Sequence, residues 1–177
     1  MCSSDLMAKL AKFEIIDLPK TYVVGKSLKV SDESCMSGEN PMPAFWGQCF
    51  EEGLFGVLEQ QTEFIYDDAY VGLMCDWGTG DGHFTYIVGM PMNEGASVPD
   101  GCVIREIPAS KVAVGWIQGK EGPELYGNEH QLTDAALKEA GHSGDNAKWC
   151  MELYNCPRFT TPDENGEVIV DYYIPLD

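Results

Sequence analysis

FEIIDLPKTYVVG, residues 13–25, and CVIREIPASKVAVG, residues 102–115, are two versions of one phrase. Each sets an extended run before a proline, leaves three residues, and resumes with valines that end on Gly25 or Gly115; the second version carries one extra residue. β-branched and aromatic residues dominate on both sides of Pro19 and Pro108, which reads as strand, and a proline without an N–H interrupts the ladder between them. Each phrase therefore predicts a strand with a break or bulge at its proline.

Outward from the first phrase, SDESCMSGENP reads as a polar loop, and PAFWGQCFEEGLFGVLEQ spaces Phe45, Cys49, Phe50, Leu54, Val57 and Leu58 as an amphipathic helix over Pro43–Gln60, weakened by its glycines. AYVGLMCDW and HFTYIVGMP are two further extended runs joined through Gly78, Gly80 and Gly82, a hairpin tip. After the turn-rich linker 93–100 the order repeats. A helix at roughly Asn128–Ala140 stops at Gly141, and WCMELYN and EVIVDYYIPL flank the turn TTPDENG as a hairpin-like pair.

Pro19 to Pro91 and Pro108 to Pro175 span similar lengths, and GMPM closing the first half answers YIPL closing the second. The prediction is an α+β fold: a tandem duplicated β-α-β-β repeat with pseudo-two-fold symmetry, an antiparallel sheet and two main helices. Repeat one covers about residues 12–92 and repeat two about 101–177 of a single domain spanning 1–177. An interface between repeats is a natural place for a pocket.

The chain has 177 residues, 44% of them hydrophobic and 23% charged, as in a globular protein with its own core. Asp and Glu number 29 against 11 Lys and Arg, for a net charge of −18. That field repels phosphate backbones and attracts cations, so direct nucleic-acid binding is not expected. The seven cysteines include no Cys-x-x-Cys pair, and reduced, buried thiols are the expectation. No export signal or membrane-length apolar run is present, so the reading is a cytoplasmic protein without a membrane partner.

In Trp149-Cys-Met-Glu-Leu-Tyr154, strand alternation sets Cys150, Glu152 and Tyr154 on one face and Trp149, Met151 and Leu153 on the other. A carboxylate in so apolar a run is solvated, paired or used. An organic cation would offset the cost of burying Glu152, and ring faces would add cation–π attraction; an edge strand with Glu152 facing water is the plain alternative.

PAFWGQCFEEG, the entry strands FEIIDLP and CVIREIP, WCMELY and the closing YYIPL together resemble the GyrI-like small-molecule-binding family. That family is related to the effector-binding domains of AraC-type and MerR-type multidrug-responsive regulators. The resemblance runs from about Phe13 to Leu176. It implies a tandem β-α-β-β fold with an aromatic-lined pocket between the repeats and a buried acid, at Glu152, that meets lipophilic cations. Trp46 matches the aromatic of the family's Pro-x-x-Trp pattern, with Phe50 on the same helix; Tyr154 and Tyr173 are wall candidates by position. Trp77, Tyr126 and Trp149 are wall candidates whose facing depends on alternation. About a dozen residues precede the first strand, too few for the helix-turn-helix of such regulators, so operator binding by that route is not expected.

The first functional expectation is stand-alone binding of hydrophobic, cationic small molecules, for drug or xenobiotic sensing or sequestration. A second is a hydrolase of reactive xenobiotics such as cyclopropane-containing alkylating toxins, with Glu152 as general base or water-positioning group and Tyr154 polarising the ligand. A third is an acidic module that binds or inhibits a protein partner. Gly78-x-Gly80-x-Gly82 precedes a strand and lacks a following Gly-Lys, so it is no phosphate loop. His83, His130 and His142 lie far apart, Cys75 has no evident histidine partner, and no Gly-x-Ser-x-Gly elbow occurs. No metal and no cofactor are expected.

Overall fold

A computed structural model describes residues 8–37, 40–155 and 157–177, the side chains of 35–37 apart. The strands are β1 (Lys9–Leu18), β2 (Thr21–Ser31), β3 (Ala69–Cys75), β4 (His83–Met92), β5 (Val103–Ile107), β6 (Ser110–Lys120), β7 (Trp149–Asn155) and β8 (Glu167–Pro175). The helices are α1 (Asp32–Ser37), α2 (Met42–Glu51), α3 (Leu54–Leu58) and α4 (Pro123–Glu139). The fold is α+β with antiparallel strands, as the sequence predicts.

The chain forms two compact units, one of residues up to Leu18 together with Ser110–Asp177, the other Pro19–Ala109. In the first, strands run in the order β1-β6-β8-β7; in the second, β5-β2-β4-β3. The order is the same, but each sheet takes its outer strand from the other sequence repeat. β1 pairs along its length with β6, from Leu18 opposite Ser110 to Lys9 opposite Gln118, and β5 pairs with β2, from Thr21 opposite Ile107 to Gly25 opposite Val103. The prolines account for this. A two-residue hairpin needs a positive φ at its first residue, which Pro19 and Pro108, held at about −65°, cannot adopt, so neither strand folds back on its successor and its exposed ladder is completed by a distant strand. The compact units therefore do not follow the repeat boundaries 12–92 and 101–177.

In the second unit, α2 and α3 cover β2 and β4 and bury Phe45, Cys49, Leu54, Phe55 and Leu58 against Val24, Val30, Tyr86, Val88 and Met90. The single helix predicted over Pro43–Gln60 is divided at Gly53, which adopts φ 73°, a left-handed conformation that glycine takes without steric cost. SDESCMSGENP is not wholly loop either. Asp32 and Glu33 fall in the first turn of α1, where carboxylates complement the helix dipole, and the Ser34 hydroxyl donates to the Ser31 carbonyl. The Gly-rich segment between β3 and β4 is a hairpin connection, as expected.

In the first unit, α4 lies across β6 and β8. It begins five residues before the predicted Asn128, because Pro123 stands in the first turn, where a missing N–H costs nothing. It ends as predicted: Gly141 and His142 donate to the Lys138 and Leu137 carbonyls in a Schellman closure. Gly115 allows the close approach, since a Cβ there would stand 2.4 Å from Thr133 Oγ1. Cys49, Cys75 and Cys150 are buried free thiols and Cys102 a half-buried one; Cys2, Cys156 and the Cys35 side chain lie outside the described residues. Among the described residues no helix is long and apolar enough to cross a membrane.

Candidate ligand site

The buried stripe of α4 reads Leu125, Glu129, Thr133, Leu137, one residue every four. That spacing turns all four toward the sheet, so Glu129 enters the interior by position, and only 3% of it remains exposed. On the sheet below, β7 presents Cys150, Glu152 and Tyr154 on the same side, and Glu152 is itself buried, 9% exposed. The two carboxyls meet: Glu129 is hydrogen-bonded to Glu152, and its Oε1 is buried without a hydrogen-bond partner.

Burial, followed by the charge and hydrogen bond of Glu152, holds the Glu129 carboxyl well above the usual glutamate range, with no cationic side chain offsetting them. An acid whose pKa is raised by folding binds more protons folded than unfolded. Stability then falls as pH rises from the unfolded pKa, about 4.3, through the folded one. Replacing Glu129 with Gln is expected to remove that fall. Thermal midpoints of the two proteins should agree near pH 4 and separate in favour of the variant toward pH 8, by about 1.4 kcal/mol per unit of pKa elevation.

Rings surround the pair. Tyr126, one turn before Glu129, meets Tyr154 edge-on with centroids 6.5 Å apart, and Tyr154 meets Phe159 edge-on at 4.8 Å. The Tyr126 hydroxyl donates to Glu121 Oε1 at 3.1 Å, and burial, Glu121 and both site carboxyls keep it protonated far above the usual tyrosine range. Tyr172 stands opposite Glu152 across the β7–β8 ladder, and its hydroxyl shares a 3.1 Å hydrogen bond with His130 Nδ1. Cys150, 4.0 Å from the same nitrogen, has its thiol pushed up to about 12 by burial, which makes it a poor nucleophile.

Of the sequence-predicted residues, Glu152, Tyr154 and Tyr126 come together here. Tyr173 pairs with Met151, on the opposite face of the sheet from Glu152, and Trp149 alternates to that face as well; Tyr172 takes the position expected of Tyr173. Trp46, Phe50 and Trp77 belong to the second unit. There Trp46 Nε1 donates to the Tyr86 hydroxyl at 2.7 Å, and its ring stacks at 6.0 Å on Phe55, which stacks in turn on Tyr70 at 3.7 Å. Phe50 packs at the edge of this cluster, 55% exposed, and Trp77 stands 38% exposed just beyond β3. Among the described residues the second unit has no acid at the matching position. Equivalent ladders put Val71 opposite Gly89 where Glu152 stands opposite Tyr172, so the carboxylate is particular to one repeat.

Glu129 was legible only as a break in an apolar stripe. Leu125, Thr133 and Leu137 mark the inward side of the helix, and a carboxylate at the intervening position is the signal. Among the described residues no three His, Cys, Asp or Glu side chains converge as a metal site would.

The model of the integron-associated effector binding proteins, Cass2, matches residues 14–176. The chain belongs to this family. The GyrI-like resemblance read from FEIIDLP, CVIREIP, PAFWGQCFEEG and WCMELY thus holds over nearly its full span, and effector-binding proteins of this kind act by taking up a small molecule. No curated protein matches the chain in sequence. Among solved structures, SAV2435 bound to tetraphenylphosphonium is similar with a TM-score of 0.67 at 16% identity, covering 94% of each chain. An integron cassette protein from the mobile metagenome of Vibrio cholerae gives 0.57 at 14%, covering 96% of this chain and 99% of that one. The C-terminal domain of EcmrR gives 0.56 at 14%, over 94% and 97%. At these identities the likeness is one of fold.

Proposed function

We propose that the chain binds lipophilic organic cations in its first unit, with Glu152 and Glu129 as the charged floor and Tyr126, Tyr154 and Phe159 as ring walls. The observation that carries this reading is the buried carboxyl pair: two acids in one apolar site cost free energy that a bound cation offsets. Half-buried tyrosine and phenylalanine rings beside them supply π faces, each worth about 0.5–2 kcal/mol to a cation at short range. Membership of an effector-binding family and the tetraphenylphosphonium held by SAV2435 support it. The acidic balance, −18 overall, favours capture of cations at low salt.

The test separates charge from shape. Tetraphenylphosphonium and tetraphenylborate have nearly the same size and surface and opposite sign. Titration followed by tryptophan fluorescence is expected to show micromolar affinity for the phosphonium and none for the borate up to millimolar concentration. Equal affinity for both would leave a hydrophobic pocket and end the electrostatic reading.

A further inference from the structure

Two carboxyl groups in hydrogen-bond contact require a proton between them, since two carboxylates offer only acceptors. Glu129 and Glu152 are in such contact, both buried, and Glu129 Oε1 has no hydrogen-bond partner. From these contacts we infer that the resting site holds one proton on the Glu129–Glu152 pair and that an organic cation binds by exchange for it, so that uptake of the ligand releases a proton to solvent. The inference rests on the cation-binding reading and adds its stoichiometry.

The balance is simple. The resting pair carries one negative charge; with the proton gone and a monocation in place it again carries one. The charge of the site is conserved, as a buried site requires. A unit positive charge about 5 Å from a carboxyl lowers its proton affinity by about a hundredfold at the effective dielectric of protein sites. Linkage makes the effect mutual: losing the proton strengthens cation binding by the same factor.

The groups facing the pair are consistent with that assignment. Its own helix segment contributes Glu121, Tyr126 and His130; β7 contributes Cys150 and Tyr154, and β8 contributes Tyr172. Burial raises the pKa values of Tyr126, Tyr172 and Cys150, so none of them donates a proton in the neutral range. On the α4 side of β1 and β6, the register sets Asp17 against Lys111, which pair with each other at 3.0 Å. They lie toward the C-terminal end of α4, because α4 runs from Leu125 beside Gly119 to Thr133 over Gly115. His130 is exposed and shares its hydrogen bond with the Tyr172 hydroxyl, so its contribution is separated by variant.

The experiment is calorimetric titration of the full chain with tetraphenylphosphonium at pH 7 in phosphate, imidazole and Tris, whose ionisation enthalpies differ. The dependence of the observed heat on buffer enthalpy is expected to give release of close to one proton per cation bound. Affinity should tighten by up to about a hundredfold from pH 5 to pH 8. Glu129→Gln is expected to bind with no proton release and a flat pH dependence, and His130→Gln to behave as wild type. Binding without proton release in the wild type overturns the exchange and leaves the cation site standing. Release that disappears in His130→Gln and persists in Glu129→Gln also overturns it. If tetraphenylphosphonium does not bind, the cation-site reading and the exchange fall together. Carboxyl carbon NMR of the ligand-free protein then decides the resting proton separately: one glutamate titrating well above the usual glutamate range, absent in Glu129→Gln, places it on the pair.

Discussion

Replacing Glu152 with Gln is expected to weaken tetraphenylphosphonium binding ten- to hundredfold while leaving the fold and its thermal midpoint little changed. The substitution keeps the size and one acceptor oxygen of the side chain and removes its charge. At an effective dielectric of about 20, a charge pair separated by 4–5 Å is worth roughly 3–4 kcal/mol, an upper limit of several hundredfold. The loss falls short of that limit because Glu129, freed from a charged neighbour, ionises more readily and substitutes in part. A Glu129→Gln, Glu152→Gln double variant should therefore lose more than the sum of the single effects, a coupling that a double-mutant cycle reads directly. Residual affinity in the double variant measures what Tyr126, Tyr154 and Phe159 supply. Unchanged affinity in both variants would place the binding energy elsewhere in the protein.

Removing the charge of Arg158 is expected to have the largest effect on stability. Its guanidinium grips Asp171 on β8 with two hydrogen bonds, Nη2 to Oδ2 at 2.7 Å and Nε to Oδ1 at 3.2 Å, and lies over the Trp116 ring at 4.4 Å. The Asp171 side chain is 5% exposed. Arg158→Leu would take the guanidinium from that buried carboxylate, a loss of about 3–5 kcal/mol out of a total that is typically 5–15 kcal/mol. Lysine should restore only part of it, because an ammonium makes neither the paired hydrogen bonds nor the planar stack. Changing Asp171 to Leu alongside Arg158→Met should recover most of the loss, since the expensive element is a buried carboxylate that has lost its guanidinium. Urea unfolding followed by tryptophan fluorescence reads each midpoint. A loss below 1 kcal/mol for Arg158→Leu would show the pair to be solvated.

Both predictions depend on one-residue facts of register. Glu152 faces α4 and Asp171 faces away because β7 and β8 pair Glu152 with Tyr172 and Leu153 with Asp171. A shift of one residue would exchange these roles, as it exchanges Tyr172 for Tyr173 in the wall around Glu152. Alternation along Trp149–Tyr154 was legible from the chain. Which of two adjacent tyrosines on the partner strand shares that face was not, because register is set by pairing across a turn of eleven residues that the sequence leaves unspecified.

The sequence by itself determined the recurrence of one phrase at residues 13–25 and 102–115, the extended runs on either side of Pro19 and Pro108, the hairpin at the glycines after Trp77, the closure of α4 at Gly141 and the acid in the aromatic strand. These are local signals, carried by periodicity, by proline's missing donor and by glycine's backbone freedom. Tertiary structure decided the rest. It exchanged the outer strands β1 and β5, because hydrogen-bond partners of a sheet edge are chosen across the whole chain and not between neighbours. It also brought Glu129 onto Glu152, 23 positions apart, through the close seat of α4 on Gly115. A single carboxylate in a strand is visible in a sequence; a second one that shares its proton becomes visible only when helix and sheet are packed together.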